Sequence, residues 1–426
     1  MCENLLKGTS IILDKLQMRM DSAIQCYNRY KWRVFFSLVP FILFNFVQFG
    51  IMNVLSAYIM QVFNISAVKL GFIGSVYFYT DLIFTFFSGI LLDFFSPKKL
   101  VMSAIGVSLF GLVYIIMIPN IFSLVIWRLA AGITCSFSIA GSFKIISNHF
   151  RTGERGLVIG LIGMTATAAG VFFQTPLSLI LQTLGFNITL LTVFGMGVIS
   201  LCLIYFFISD YLLATKVTFI QTIKSTSKIF LDFKNLCAAL FECLINLPLI
   251  VLGALWGNIY LTKIYMVNNS VATVIISMLF LGHMISAPIF GFLTDRINSR
   301  RILLLSGTGM AIVSILLINL LSYHYLHIFL LLILFLMLGV STGAQIVADA
   351  FVVEHADGMS IARAVSLLPL ISVIGGIMFQ PMFGLIVQHS RSLANGYQHA
   401  MLILVFTSFL AAIFSFYIPN RVTTNI

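Results

Sequence analysis

The chain has 426 residues, of which 60% are hydrophobic and only 9% are charged, with a mean hydropathy of +1.08. A water-soluble domain carries about a quarter of its residues as charges, so this chain has too few to cover a water-facing surface, and lipid must be its main solvent. The net charge of +11 does not indicate a nucleic-acid partner, because the cations fall in short clusters between apolar runs and form no basic face.

The first 33 residues mix acids and bases without the continuous apolar core of a cleavable signal. They read as an amphipathic helix on the membrane surface that ends in Arg29, Lys31 and Arg33. Crossing a bilayer takes roughly 20 mostly apolar residues. Twelve such stretches follow, at about 34–62, 70–92, 99–118, 122–147, 156–182, 187–213, 237–264, 270–293, 301–321, 326–353, 360–388 and 397–418. Runs of this length without strict alternation predict helices, since lipid demands that backbone groups be satisfied within the segment. The fold expected is all-α and integral to the membrane.

With the N-terminus inside, the inner segments hold nineteen Lys and Arg residues and the outer loops only Lys69, Lys263 and Arg391; Arg128 and Lys144 lie within a span. That asymmetry predicts cytoplasmic termini and a multi-pass protein of the plasma membrane, the inner membrane in a bacterium. The segment 214–236 is basic and polar and separates a bundle at 34–213 from one at 237–418, leaving a short tail at 419–426. The six cysteines show no metal-ligand spacing and read as small apolar residues. Nothing in the chain matches a nucleotide-binding loop or a zinc-protease helix. No catalytic activity, cofactor or metal is expected.

The two bundles repeat each other. Gly89, Asp93, Lys98 and Lys99 recur as Gly291, Asp295, Arg300 and Arg301, and the FFQTPL stretch at 172–177 recurs as MFQPMFG at 378–384. Glycines precede both copies of the second motif, at Gly170 and at Gly375 and Gly376. Two six-helix units in parallel repeat are the layout of a carrier with its substrate site between the halves. In these features the chain resembles the major facilitator superfamily from about residue 34 onward. That family's signature, G-x-x-x-D-(R/K)-x-G-(R/K)-(R/K), is matched by Gly89, Asp93 and Lys98, while Phe94 and Ser96 depart from it. The second copy keeps Gly291, Asp295, Arg296 and Arg300.

The resemblance implies twelve transmembrane helices in two pseudo-symmetric halves. It also implies a conformational latch in which Asp93 and Asp295 bind across the interface at the inner ends of spans two and eight. The alternative for Lys98, Lys99, Arg300 and Arg301 is anchorage to anionic headgroups.

Ionised residues within a span are costly and therefore functional candidates. Asp81 in span two and Arg128 in span four are at similar depths and are expected to pair, with a role in substrate binding or coupling. Arg128 with Gly132 also resembles an R-x-x-x-G element of the same family that is linked to proton transfer. Lys144, Asp349 and Glu354 are candidates for an inner gate, His283 is a mid-membrane titratable group, and Glu242 faces the interface. Asn45, Gln48, Asn53 and Ser56 share one face of span one. Trp256, Asn258 and Tyr260 occupy the repeat-related part of span seven. The resemblance places both sets against the cavity as substrate contacts. Gln174 and Gln380 precede Pro176 and Pro381, which are expected to kink spans five and eleven.

The function expected is proton-coupled symport of a small organic anion, amino acid or short peptide by a protein working as a monomer in the bilayer. The family's drug exporters carry a glycine–proline pair in span five that is missing here, so efflux is second choice. A receptor-like sensor acting through residues 1–33 is the reading from another class; deleting 1–30 would silence a sensor and spare a carrier.

Overall fold

The computed structural model describes residues 2–150, 152–210, 232–297, 299–320, 328–355 and 361–420; side chains are described from Arg29 onward, apart from positions 90, 93, 152, 153, 155, 156, 159, 295 and 361–367. Every regular element among them is helical. Eleven helical stretches are long and apolar enough to cross a membrane. One of them, Gly160–Phe207, runs for 48 residues, more than twice what a bilayer of about 30 Å needs. It is interrupted at Gly185, whose φ of 84° and ψ of −179° only glycine adopts without strain. Before that break Gln182 bonds Ser270 at the start of span eight; after it Phe186 stacks on Tyr58, and Asp210 reaches Ser96 at the start of span three. The chain turns back at Gly185, so the stretch makes two passes and the twelve expected spans are present.

Span one is the end of a continuous helix, Cys2–Val62. Residues 2–33 are helical, as expected, and the helix runs on from them into span one without a break at Arg33. Spans two, three and four are Ala67–Phe94, Pro97–Met117 and Ile121–His149. Span five joins Thr152–Phe172 to the first turns of Gln174–Phe207, and span six is the remainder beyond Gly185. In the second half, span eight is Asn269–Arg296, span nine Arg300–Leu320, span eleven Ile361–His389 and span twelve Leu393–Ser415. Spans seven and ten are composite. Span seven passes from Phe233–Leu247 through a π-helical segment, Pro248–Trp256, into Gly257–Ile264, and span ten joins Ile328–Thr342 to Gln345–His355.

The ends are set by local chemistry. Ser66, Asn120, Asn268 and Ser392 accept backbone N–H groups at the starts of spans two, four, eight and twelve, all on one face. Ser96 followed by Pro97 starts span three on the opposite face, where Asp232 starts span seven. That second face carries Arg29, Lys31, Lys98, Lys99, Arg300 and Arg301 and is called the basic face below; the other is the distal face. The kink expected from Pro176 is a real break: the helix stops at Phe172 and restarts at Gln174, because proline clashes with the carbonyl four residues earlier. Pro381, by contrast, lies inside the uninterrupted helix Ile361–His389.

Segment 214–231 of the expected linker, along with most of the tail at 419–426, lies outside the described residues.

Candidate functional site: the central polar clusters and the seam between the halves

The halves meet along a seam in the distal part of the molecule. Asn258 of span seven binds Asn53 of span one through its backbone N–H at 2.8 Å and its side-chain amide at 3.2 Å. Asn53 donates to Gln174 at 2.9 Å, Gln174 donates to the Gly253 carbonyl at 3.2 Å, and the repeat-related Gln380 donates to the Ile250 carbonyl at 2.9 Å. Both acceptors lie in the π-helical segment, where the shift to i→i+5 bonding leaves carbonyls outside the ordinary α-ladder. Trp256 donates to the Gln380 carbonyl at 3.0 Å. Asn269 with Ser178, Ser270 with Gln182, and Gln388 with the Val68 N–H continue the seam toward the distal face. Glycine allows a close approach of backbone to backbone: a Cβ at Gly71 would lie 2.7 Å from the Gln380 carbonyl oxygen and 2.9 Å from Pro381 Cα.

Asn53, Trp256 and Asn258 were expected to touch substrate. Here Asn53 and Asn258 hold the distal seam shut, while Trp256 ties span seven to span eleven within the second half. Tyr260 turns into the second half, where it packs edge-on against Tyr265 and Tyr397.

At the basic face the hydrogen bonds and ion pairs given for the described side chains join residues of the same half. Lys98 donates to the Tyr205 carbonyl at 2.8 Å and lies over the Tyr205 ring, while Lys99 pairs with Asp210 at 3.2 Å. In the second half Arg301 donates to the Phe416 carbonyl at 3.1 Å and lies over the Phe416 ring. Lys98 and Lys99 in the first half and Arg301 in the second thus bind the end of the sixth helix of their own half, where carbonyls left over at a helix C-terminus attract cations. Asp210 is held below the usual carboxylate range, first by the Ser96 hydroxyl that donates to it and then by Lys99. Gly89 and Gly291 sit near the basic-face ends of spans two and eight, and Arg296 lies exposed over the Phe292 ring. The carboxylates expected to form the latch, Asp93 and Asp295, lie outside the described side chains.

The interior of the first half holds a polar cluster. Arg128 is buried, donates to the Gln48 carbonyl at 2.8 Å and the Gly74 carbonyl at 3.4 Å, and lies 4.6 Å above the Tyr77 ring. Gln48 in turn accepts from Ser108 and Trp127. Asp81 accepts the Thr85 hydroxyl at 3.0 Å and faces the Cys135 thiol. The expected Asp81–Arg128 ion pair does not form: the guanidinium is taken up by span-one and span-two carbonyls about a turn nearer the distal face, and Tyr77 stands between the two levels. The Asn45 amide, the Gln48 amide nitrogen, the Tyr77 hydroxyl and Arg128 Nε are buried without a hydrogen-bond partner. Buried polar atoms normally have partners, so these four groups are candidates for contact with a polar solute. Tyr77 and Cys135 were missed from sequence. Their only signal is the i, i+4 spacing of Tyr77 with Asp81 and the i, i+7 spacing of Cys135 with Arg128.

The second half carries a different cluster. His283 Nδ1 bonds the Thr342 hydroxyl at 2.8 Å, and its other nitrogen lies 3.5 Å from the Gln345 amide. Gln345 accepts from Asn246, and Glu242, beside Asp349, accepts the Ser372 hydroxyl at 3.3 Å. The inner gate expected of Lys144, Asp349 and Glu354 is not assembled as a unit. Glu354 bonds Arg300 within its own half, and Asp349 turns to Glu242. Lys144 lies on span four of the other half.

Two similar bundles of six membrane-spanning helices around a polar centre, closed at one end, define a solute carrier of alternating-access architecture. The chain belongs to the Major Facilitator Superfamily: that family's model matches residues 38–266 and again 238–425. It is a transporter family, so the protein is not an enzyme. No curated protein matches the sequence. Solved structures share the fold at low identity. A D-xylose–proton symporter is 13% identical, with a TM-score of 0.75 over 92% of this chain and 98% of its own. A bacterial homologue of the human lysosomal transporter Spinster, inward-facing and occupied, is 15% identical, with a TM-score of 0.71 over 91% of this chain and 96% of its own. The nucleoside transporter NupG is 14% identical, with a TM-score of 0.70 over 90% of this chain and 99% of its own.

Proposed function

We propose that the protein is a proton-coupled symporter of a small polar solute, captured with its central site open toward the cytoplasm. The closed distal seam carries this reading. The hydrogen bonds that join the halves cluster distally, whereas on the basic face the described bonds stay within a half. Lys and Arg concentrate on that basic face, and positive residues mark the cytoplasmic side. The protein would thus have cytoplasmic termini and lie in the plasma membrane or its bacterial counterpart. Rocking the halves would break the Asn53–Asn258 and Gln174–Gly253 bonds, open the distal side and present the same site to the exterior.

The orphaned donors of Asn45, Gln48, Tyr77 and Arg128 favour an organic anion, an amino acid or a short peptide. Arg128 supplies charge, and the amides and the phenol supply direction. Neighbouring structures with this fold include one whose name couples a polar solute to protons, which supports the coupling.

The test is reconstitution in liposomes with an imposed pH gradient, offering a pool of organic acids, amino acids and peptides. Solute accumulating in the direction of proton flow is the expected result. Movement against it would make the protein an exporter, and no movement of any solute would refute the carrier reading.

A further inference from the structure

Glu242 and Asn246 lie one turn apart on span seven; Gln345 and Asp349 lie one turn apart on span ten. The spans are antiparallel, and these four side chains make two rungs between them. Asn246 donates to Gln345 in one rung, and one turn further along both antiparallel helices the Glu242 and Asp349 carboxyls stand opposite each other as the second. Two carboxylates offer only acceptors. A hydrogen bond between them exists only when one oxygen carries a hydrogen, so the rung is complete with a single proton between the two residues.

The surroundings offer no other counter-charge. Glu242 is nine-tenths buried, and among the described residues no lysine or arginine faces either carboxyl. The groups facing Glu242 are Asp349 from span ten, the Ser372 hydroxyl from span eleven and the neighbouring Cys243 thiol of its own helix. Its second oxygen has no partner, and neither has the buried Asn246 carbonyl oxygen one turn away. Asp349 is partly exposed. From Gln345 the chain of polar groups continues to His283 and Thr342. Both spans change course at these rungs: the π-helical segment begins at Pro248, two residues after Asn246, and span ten is broken at Gly343 and Ala344, directly before Gln345.

We propose that the Glu242–Asp349 pair is the loading site for the coupled proton, a role that rests on the symport reading above. Hydronium at the cavity gives its proton to Asp349 and leaves as water; the proton is then shared with Glu242 while spans seven and ten lie together. Bending at the two breaks separates the carboxyls and returns the proton through Asp349 to water. No electron or other group moves.

The first measurement needs no solute. Infrared absorption of the purified protein in neutral buffer is followed at the carboxylic-acid stretch for wild type, Glu242→Gln, Asp349→Asn and, as a control, Asp81→Asn. Glutamine and asparagine amides donate to the remaining carboxylate, so each variant keeps its rung without the proton, and two separate variants guard against one failing to fold. One protonated carboxyl per chain is expected in wild type and in Asp81→Asn, and none in the other two. Its absence from wild type, or its survival in both rung variants, overturns the site. Loss of the band on adding sodium chloride makes it a sodium site and also overturns the proposal.

The second measurement is uptake in liposomes driven by a pH gradient, which should fall at least tenfold in either rung variant while counterflow at equal pH persists. Variants that accumulate solute as wild type does refute the loading role. A wild type that moves no solute but keeps the band refutes the symport reading instead.

Discussion

Replacing Gly71 with alanine isolates the distal seam from everything else in the protein. The new Cβ would lie 2.7 Å from the Gln380 carbonyl oxygen and 2.9 Å from Pro381 Cα, both backbone atoms, where ordinary contact begins at 3.4 Å. Spans two and eleven must therefore part by about 0.5–0.7 Å, at an overpacking cost of about 1–3 kcal/mol. The cost falls only on the distally closed form, because alternating access separates these spans in the other. The gain of about 1 kcal/mol from replacing a helical glycine applies to both forms and cancels. At tenfold per 1.4 kcal/mol, the ratio of closed to open drops roughly 5- to 150-fold.

Spin labels at Lys69→Cys and Arg391→Cys, both exposed on the distal face, would read the distance between the halves by pulsed electron resonance, with the exposed Cys202 replaced by serine. Gly71→Ala should move population to the longer distance. Gly106→Ala, where a Cβ meets nothing within 4 Å, should not. A Gly71→Ala distance distribution equal to wild type would refute the reasoning, since the clash would have been absorbed without opening the seam.

Arg128→Lys keeps the charge but cannot span the carbonyls of Gln48 and Gly74 while lying flat over Tyr77. Losing one charge-assisted bond of about 1.5–3 kcal/mol should lower uptake at least tenfold with the protein still folded by thermal-shift assay. Gln174→Leu leaves the Gly253 carbonyl of the π-segment without its donor from the other half, destabilising the closed seam by roughly 1–3 kcal/mol; faster labelling of a distal cysteine checks this. Asp210 has its carboxyl depressed when folded, so its contribution is present above the unfolded value and lost as pH falls through the folded one. The melting-temperature difference between wild type and Asp210→Asn should therefore vanish on acidification. For so exposed a group it stays small at neutral pH, on the order of 1 kcal/mol or less.

The architecture was legible because lipid imposes long apolar runs, and because a duplicated half prints its motifs twice. Gln174 and Gln380 illustrate this: their matched surroundings gave them away, and both donate to carbonyls of span seven, Gln174 across the halves and Gln380 within its own. What escaped depends on the phase between helices distant in sequence. Glu242 and Asp349 are 107 positions apart, and only the antiparallel register of spans seven and ten brings them face to face; the paired i, i+4 spacings with Asn246 and Gln345 were the trace left in the sequence. Asp81 and Arg128 show the opposite error. Equal depth suggested a pair, but depth says nothing of azimuth, and carbonyls from spans one and two were closer acceptors.

The nine-residue stretch Pro248–Trp256 also fixes how two devices on one rod are clocked. Below it the helix presents Glu242 and Asn246 to span ten; above it, Trp256 and Asn258 to spans eleven and one. Excising a single residue from the wide turn would twist the upper part by about 100° against the lower, with every contacting side chain still present. Such a protein would keep its parts and lose its timing.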